Sequence, residues 1–154
     1  MIKDKVLVRC VVNGKEVAEY VDPRESLLDM LRNRLGLTSV KKGCEVGECG
    51  ACTVIIDGET IDSCIYLAVW AGEKISVPWK VWKRTGILPV FRRLLLRREQ
   101  SSAVLHTGLC YVCNGASGAG RGTYKRSYQK HMSGNLCRCT GYQNIVNAVE
   151  KSNA

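Results

Sequence analysis

Strand-forming residues run through 5–12 and again through Lys15–Val21, with Asn13-Gly14 between them. An Asn-Gly pair between two such runs is a strong signal for a two-residue hairpin turn, because both positions tolerate positive φ. Pro23 and Ser26 then open an amphipathic segment in which Leu27, Leu28, Leu31 and Leu35 recur at helical spacing, and Gly36 stands where a helix usually stops. Thr53–Ile56 and residues 59–61 flank Asp57-Gly58 as a second hairpin. Residues 144–149 read as a further helix, with Ile145, Val146 and Val149 on its apolar side. The apolar positions predict core, a helix packed on a sheet, rather than a binding stripe.

Composition divides the chain in two. The formal charge of +9 is unevenly spread, with residues 1–75 at net −2 and residues 76–154 at net +11. This places a domain boundary at about residue 76, giving domains 1–76 and 77–154. At 45% hydrophobic residues the chain can form real cores. No apolar run approaches the roughly 18 residues of a membrane span. The first thirty residues lack the basic, apolar and small-residue zones of a secretory signal, so a reducing, cytoplasmic setting is expected for the nine cysteines rather than a disulfide framework.

Cys44, Cys49, Cys52 and Cys64 carry the strongest chemical signal. Their spacing, x4, x2 and then eleven residues, is the plant-type order for a 2Fe-2S cluster, which needs four thiolates. Gly43, Gly47 and Gly50 are interleaved with the first three, which lets the backbone take positive φ and turn its N–H groups toward the sulfurs. Zinc usually sits in paired Cys-x2-Cys or Cys/His knuckles, a different pattern. Cys10, inside an apolar run, reads as a buried core residue.

Hairpin, helix, cysteine loop and hairpin in this order resemble the β-grasp ferredoxin domain. The eleven-residue gap, with Ser39 to Cys44, Gly47 to Cys52 and Ile61-Asp62-Ser63-Cys64, is similar to the iron-sulfur small subunit of the molybdenum hydroxylases, and most like that of bacterial xanthine dehydrogenases. Gly134-Asn135-Leu136-Cys137-Arg138-Cys139-Thr140-Gly141-Tyr142 resembles the last piece of that family's second signature. The resemblance implies an α+β chain: a β-grasp domain followed by a smaller helical domain, in which Cys137 and Cys139 ligate a second 2Fe-2S cluster.

One piece of the family pattern is missing, a Cys-Gly-x-Cys-Thr-Pro-Gly motif upstream of Cys137. Cys110 and Cys113 have the x2 spacing, but Tyr111 replaces the glycine and only 23 residues separate Cys113 from Cys137. Residues 76–131 hold eleven Lys/Arg against a single acid, Glu99, and Ser-Gly-Ala-Gly-Arg-Gly at 117–122 would break a helix. A reading-frame error over residues 77–128 accounts for all of this. Back-translating Trp79 to Gly86 from the last base of the Pro78 codon can yield Val-Glu-Gly-Leu-Glu-Lys-Asp-Gly, which restores the acids. The same exercise over residues 100–108 can yield Gln-Cys-Gly and Phe-Cys-Thr-Pro-Gly, with cysteines near Ala103 and His106, about thirty residues before Cys137. On this reading the disturbed helical domain, the basic run 91–98, His106 and His131 reflect the frame and not a site.

No nucleophile-base pair or nucleotide loop is evident, and a cluster wrapped by four thiolates offers substrate no open position, so one-electron transfer near about −400 mV is its default work. The resemblance implies an electron-relay subunit with no substrate chemistry of its own. A molybdopterin-binding large subunit would hydroxylate a purine with water, and an FAD-binding medium subunit would collect the electrons. The Cys137/Cys139 cluster would lie nearer molybdenum. Relatives acting on aldehydes, nicotinate, carbon monoxide or aromatic thioesters, and a free-standing one-cluster ferredoxin, stay open as alternatives. Nucleic-acid and membrane binding are not expected, because on the frame-error reading the basic run is an accident of frame.

Overall fold

The computed structural model describes residues 4–57, 59–71, 74–76, 133–138 and 141–152. The first hairpin forms as its sequence dictates: β1 (Val6–Val12) and β2 (Lys15–Val21) pair antiparallel with Val12 opposite Lys15. Asn13 and Gly14 take φ of 53° and 78° in the turn. Along β1 the pleat sends Val8, Cys10 and Val12 into the core. Cys10 is thus the core residue its apolar surroundings imply.

The helix is shorter and wider than the leucine spacing predicts. A single turn, α1 (Leu27–Asp29), opens into a π-helical turn over Met30–Arg34, in which the Leu35 amide donates to the Met30 carbonyl at 3.3 Å. Gly36 follows at φ 64°. α1 buries Leu27 and Leu28, and the widened turn Met30 and Leu31, in the core they share with the sheet. Ser26 caps the helix, its hydroxyl accepting from the Asp29 amide at 3.1 Å.

β3 (Thr53–Ile56) and β4 (Glu59–Asp62) form the second hairpin. A 3-10 turn (Ala68–Trp70) and a short strand β5 (Lys74–Ser76) were not legible in the sequence. Among the described residues the sheet order is β2-β1-β5-β3-β4, with β5 parallel to β1 and antiparallel to β3. β1 and the parallel β5 are joined by a long connection that contains β2, the helix, the cysteine loop and the second hairpin. Near the C-terminus α2 (Gln143–Ser152) buries Ile145 and Val146. Residues 77–128, with Cys110, Cys113, His106 and the basic run, lie outside the described residues, as do His131 and Cys139.

Candidate metal centre

Cys44, Cys49 and Cys52 sit on the loop between α1 and β3, and Cys64 follows β4. The helix start positions Cys64. The first two helical amides, which no turn of the helix can satisfy, donate to carbonyls on either side of it: Leu28 N–H to Ser63 at 3.0 Å and Leu27 N–H to Tyr66 at 2.7 Å. Ser63, fully buried, then ties this segment to the loop by donating from its hydroxyl to the Cys52 carbonyl at 2.7 Å.

The loop folds its amides onto the first sulfur. Cys44 Sγ accepts from the N–H groups of Val46, Glu48 and Cys49 at 3.5, 3.3 and 3.4 Å. These bonds favour the thiolate and bring the Cys44 pKa down to about 6. The backbone reaches this shape through positive φ at Glu45 (62°), Gly47 (77°) and Gly50 (67°). Gly43 differs from the sequence expectation: its φ is not positive, and its role is close approach. A Cβ there would stand 2.7 Å from Cys49 Sγ.

The thiols stand in two pairs, Cys44 with Cys49 and Cys52 with Cys64. Burial pushes the Cys52 thiol up to about 12, while the Cys64 amide bonded to it acts in the opposite direction. Among the described residues no three His, Cys, Asp or Glu side chains converge on one point as a single metal ion would need. Two pairs, wrapped by inward-facing amides and by glycines that leave room, fit a dinuclear cluster with two thiolates to each iron.

The second candidate set is visible in part. Cys137 is buried, and its N–H donates to the Tyr142 hydroxyl at 2.6 Å; that hydroxyl donates onward to the Asn135 carbonyl at 3.2 Å. Gly141 and Tyr142 take φ of 61° and 66° and lead into α2, whose Val146 amide donates to the Tyr142 carbonyl at 2.9 Å. This segment rests directly on the cysteine loop. The Leu136 amide donates to the Cys49 carbonyl at 3.0 Å, and a Cβ on Gly50 would stand 2.4 Å from Asn135 Oδ1. Sequence reasoning singled out none of Asp62, Ser63, Asn135 and Tyr142 for a role; only their places inside the two quoted motifs could have drawn attention to them.

The family model of a 2Fe-2S iron-sulfur cluster binding domain matches residues 10–76, and that of a second 2Fe-2S binding domain matches residues 101–150. The chain is 37% identical over 153 residues to the xanthine dehydrogenase iron-sulfur-binding subunit of Escherichia coli O157:H7, covering 95% of this chain and 93% of that one. It belongs to the iron-sulfur small subunits of the molybdenum hydroxylases. The subunit is also 38% identical over 147 residues to the nicotine 6-hydroxylase small subunit of Paenarthrobacter nicotinovorans, covering 95% and 88% of the two chains. Its structure resembles that of quinoline 2-oxidoreductase from Pseudomonas putida 86, with a TM-score of 0.84 at 33% identity over 96% of this subunit and 91% of that chain. The subunit has the α+β class expected of it and carries two 2Fe-2S binding domains. Among its described residues no helix is long and apolar enough to cross a membrane.

Proposed function

We propose that this subunit relays electrons, one at a time, from a molybdopterin site on a large partner subunit to FAD on a medium partner subunit of a cytoplasmic purine dehydrogenase acting on xanthine or hypoxanthine. Hydroxylation with water releases two electrons and two protons per substrate, and a 2Fe-2S cluster accepts and passes on one electron at a time. On this reading Cys44, Cys49, Cys52 and Cys64 hold one cluster, with Gly43, Gly47 and Gly50 shaping its loop. Cys137 and Cys139 supply two ligands to the other. The observation that carries the relay is the contact between the two sets: the Leu136 amide, next to Cys137, bonds to the carbonyl of Cys49. This chain's residues hold, space and insulate the two centres, and substrate chemistry belongs to the partner.

The purine substrate rests on similarity to a xanthine dehydrogenase subunit. Comparable identity to a nicotine 6-hydroxylase small subunit favours a second reading, another nitrogen heterocycle as substrate. Purification of the assembled complex, metal and flavin analysis, and turnover of xanthine against nicotinate decide between them. A complex without molybdenum, or one idle on both compounds, would overturn the purine reading.

We also propose domains at 1–76 and 77–154, with residues 77–128 written out of frame. The excess of eleven Lys/Arg over one acid through residues 76–131 supports this.

A further inference from the structure

Asp62 ends β4 two residues before Cys64 and lies opposite Thr53 in the β3–β4 register. Its carboxylate is turned toward Cys52. Cys52 Sγ lies 3.9 Å from Asp62 Oδ1, and the Thr53 hydroxyl lies 3.2 Å from the same oxygen. Thr53 shares its single proton with the Gly50 carbonyl, which is nearer at 2.8 Å. Among the described residues the two donors facing the carboxylate are therefore a hydroxyl with a better partner and a thiol. Among the described residues no Lys or Arg forms an ion pair with it.

The thiol loses its proton when it ligates a metal. A carboxylate oxygen would then stand beside a thiolate sulfur, the sulfur buried and the carboxylate partly withdrawn from water. Reduction adds one more negative charge to an already anionic centre. A fixed carboxylate at this range opposes that charge, and partial burial weakens the screening that would erase the effect at the surface.

We propose that Asp62 sets the reduction potential of the cluster in the N-terminal domain, its charge beside Cys52 holding that potential below the value the same cradle would give without it. This rests on the reading that Cys44, Cys49, Cys52 and Cys64 are the ligands. A lower potential there makes that centre the stronger donor to whatever accepts from it.

The test is a redox titration of the assembled complex, followed by electron paramagnetic resonance at pH 8.5, well above the ordinary carboxylate range because burial raises the Asp62 carboxyl. Asp62→Asn is expected to ease reduction of one cluster about tenfold, an upward shift of ~59 mV for a one-electron couple, and to leave the other cluster unmoved. Asp62→Glu, which keeps the charge, is expected to stay near the wild-type value. Equal potentials in wild type and Asp62→Asn overturn the proposal, as does the same shift in Asp62→Glu, which would mark a packing effect. Should Asp62→Asn not assemble, Asp62→Ser takes its place. Failure of both neutral variants to hold the cluster overturns the proposal too, since Asp62 would then serve assembly and not potential. Cys52→Ala separates the two levels: if it leaves both cluster signals unchanged, the ligand set itself is wrong and the proposal falls with it.

Discussion

The backbone amide of Leu136 donates to the carbonyl of Cys49 across 3.0 Å. One hydrogen bond thereby joins a candidate ligand of the first cluster to the residue before a candidate ligand of the second. Gly50 makes the approach possible, because any Cβ there would meet both Asn135 Oδ1 at 2.4 Å and the Gly134 carbonyl at 2.6 Å. Gly36 has a similar φ, 64° against 67°, but open space around it. Gly36→Ala is therefore expected to cost only left-handed strain, about 1–2 kcal/mol. Gly50→Ala adds a clash with backbone, for about 1–3 kcal/mol more. Denaturant unfolding measures both, and slower electron exchange between the clusters is expected in Gly50→Ala alone. Equal stability loss in the two variants would argue against a tight contact at Gly50.

Tyr142 closes the turn that carries Cys137. Its hydroxyl takes the Cys137 N–H and gives to the Asn135 carbonyl. Tyr142→Phe leaves a buried amide without this acceptor, a loss of about 1–3 kcal/mol. The expected result is preferential loss of one 2Fe-2S signal on mild heating, with the other retained, followed by iron content and paramagnetic resonance. Equal loss of both signals would show that Tyr142 serves the whole fold.

Cys49→Ser is expected to remove or reshape one paramagnetic 2Fe-2S signal and leave the second. Unchanged spectra would sink the assignment of Cys49 as a ligand.

In the iron-free chain the thiols should differ in reactivity. Three amides hold Cys44 near a pKa of about 6, whereas burial holds Cys52 near about 12. The thiolate is the reactive form, so its rate rises with pH through the pKa and then levels. Iodoacetamide labelling followed by peptide mass spectrometry should find Cys44 modified with a midpoint near pH 6, and Cys52 slow throughout the neutral range. Similar labelling of both at pH 7 would mean that the amide nest does not persist without metal.

Resequencing the coding DNA for residues 75–131 is expected to return a compensated set of base errors and to restore a Cys-Gly-x-Cys-Thr-Pro-Gly motif. An unchanged sequence would leave Cys110 and Cys113 as the chain's own residues there and end the frame-error reading.

What the sequence determined by itself is local. Asn13-Gly14 turns the first hairpin because those two positions can take positive φ, and they do. The alternation in β1 and the spacing of Cys44, Cys49 and Cys52 are likewise set by neighbours a few bonds apart. Leu27 to Leu35 announced a helix, but not that its second turn would widen at Met30. Tertiary structure alone decided the rest. The parallel pairing of β5 with β1, the helix amides that fix Ser63 and Tyr66 around Cys64, the sorting of thiols into two pairs, the placing of Asp62 beside Cys52 and the docking of Leu136 on Cys49 all join residues distant in the chain. Their partners are chosen by burial and by the need to satisfy backbone groups left over from local structure, and neither condition can be read from spacing until the chain has closed on itself.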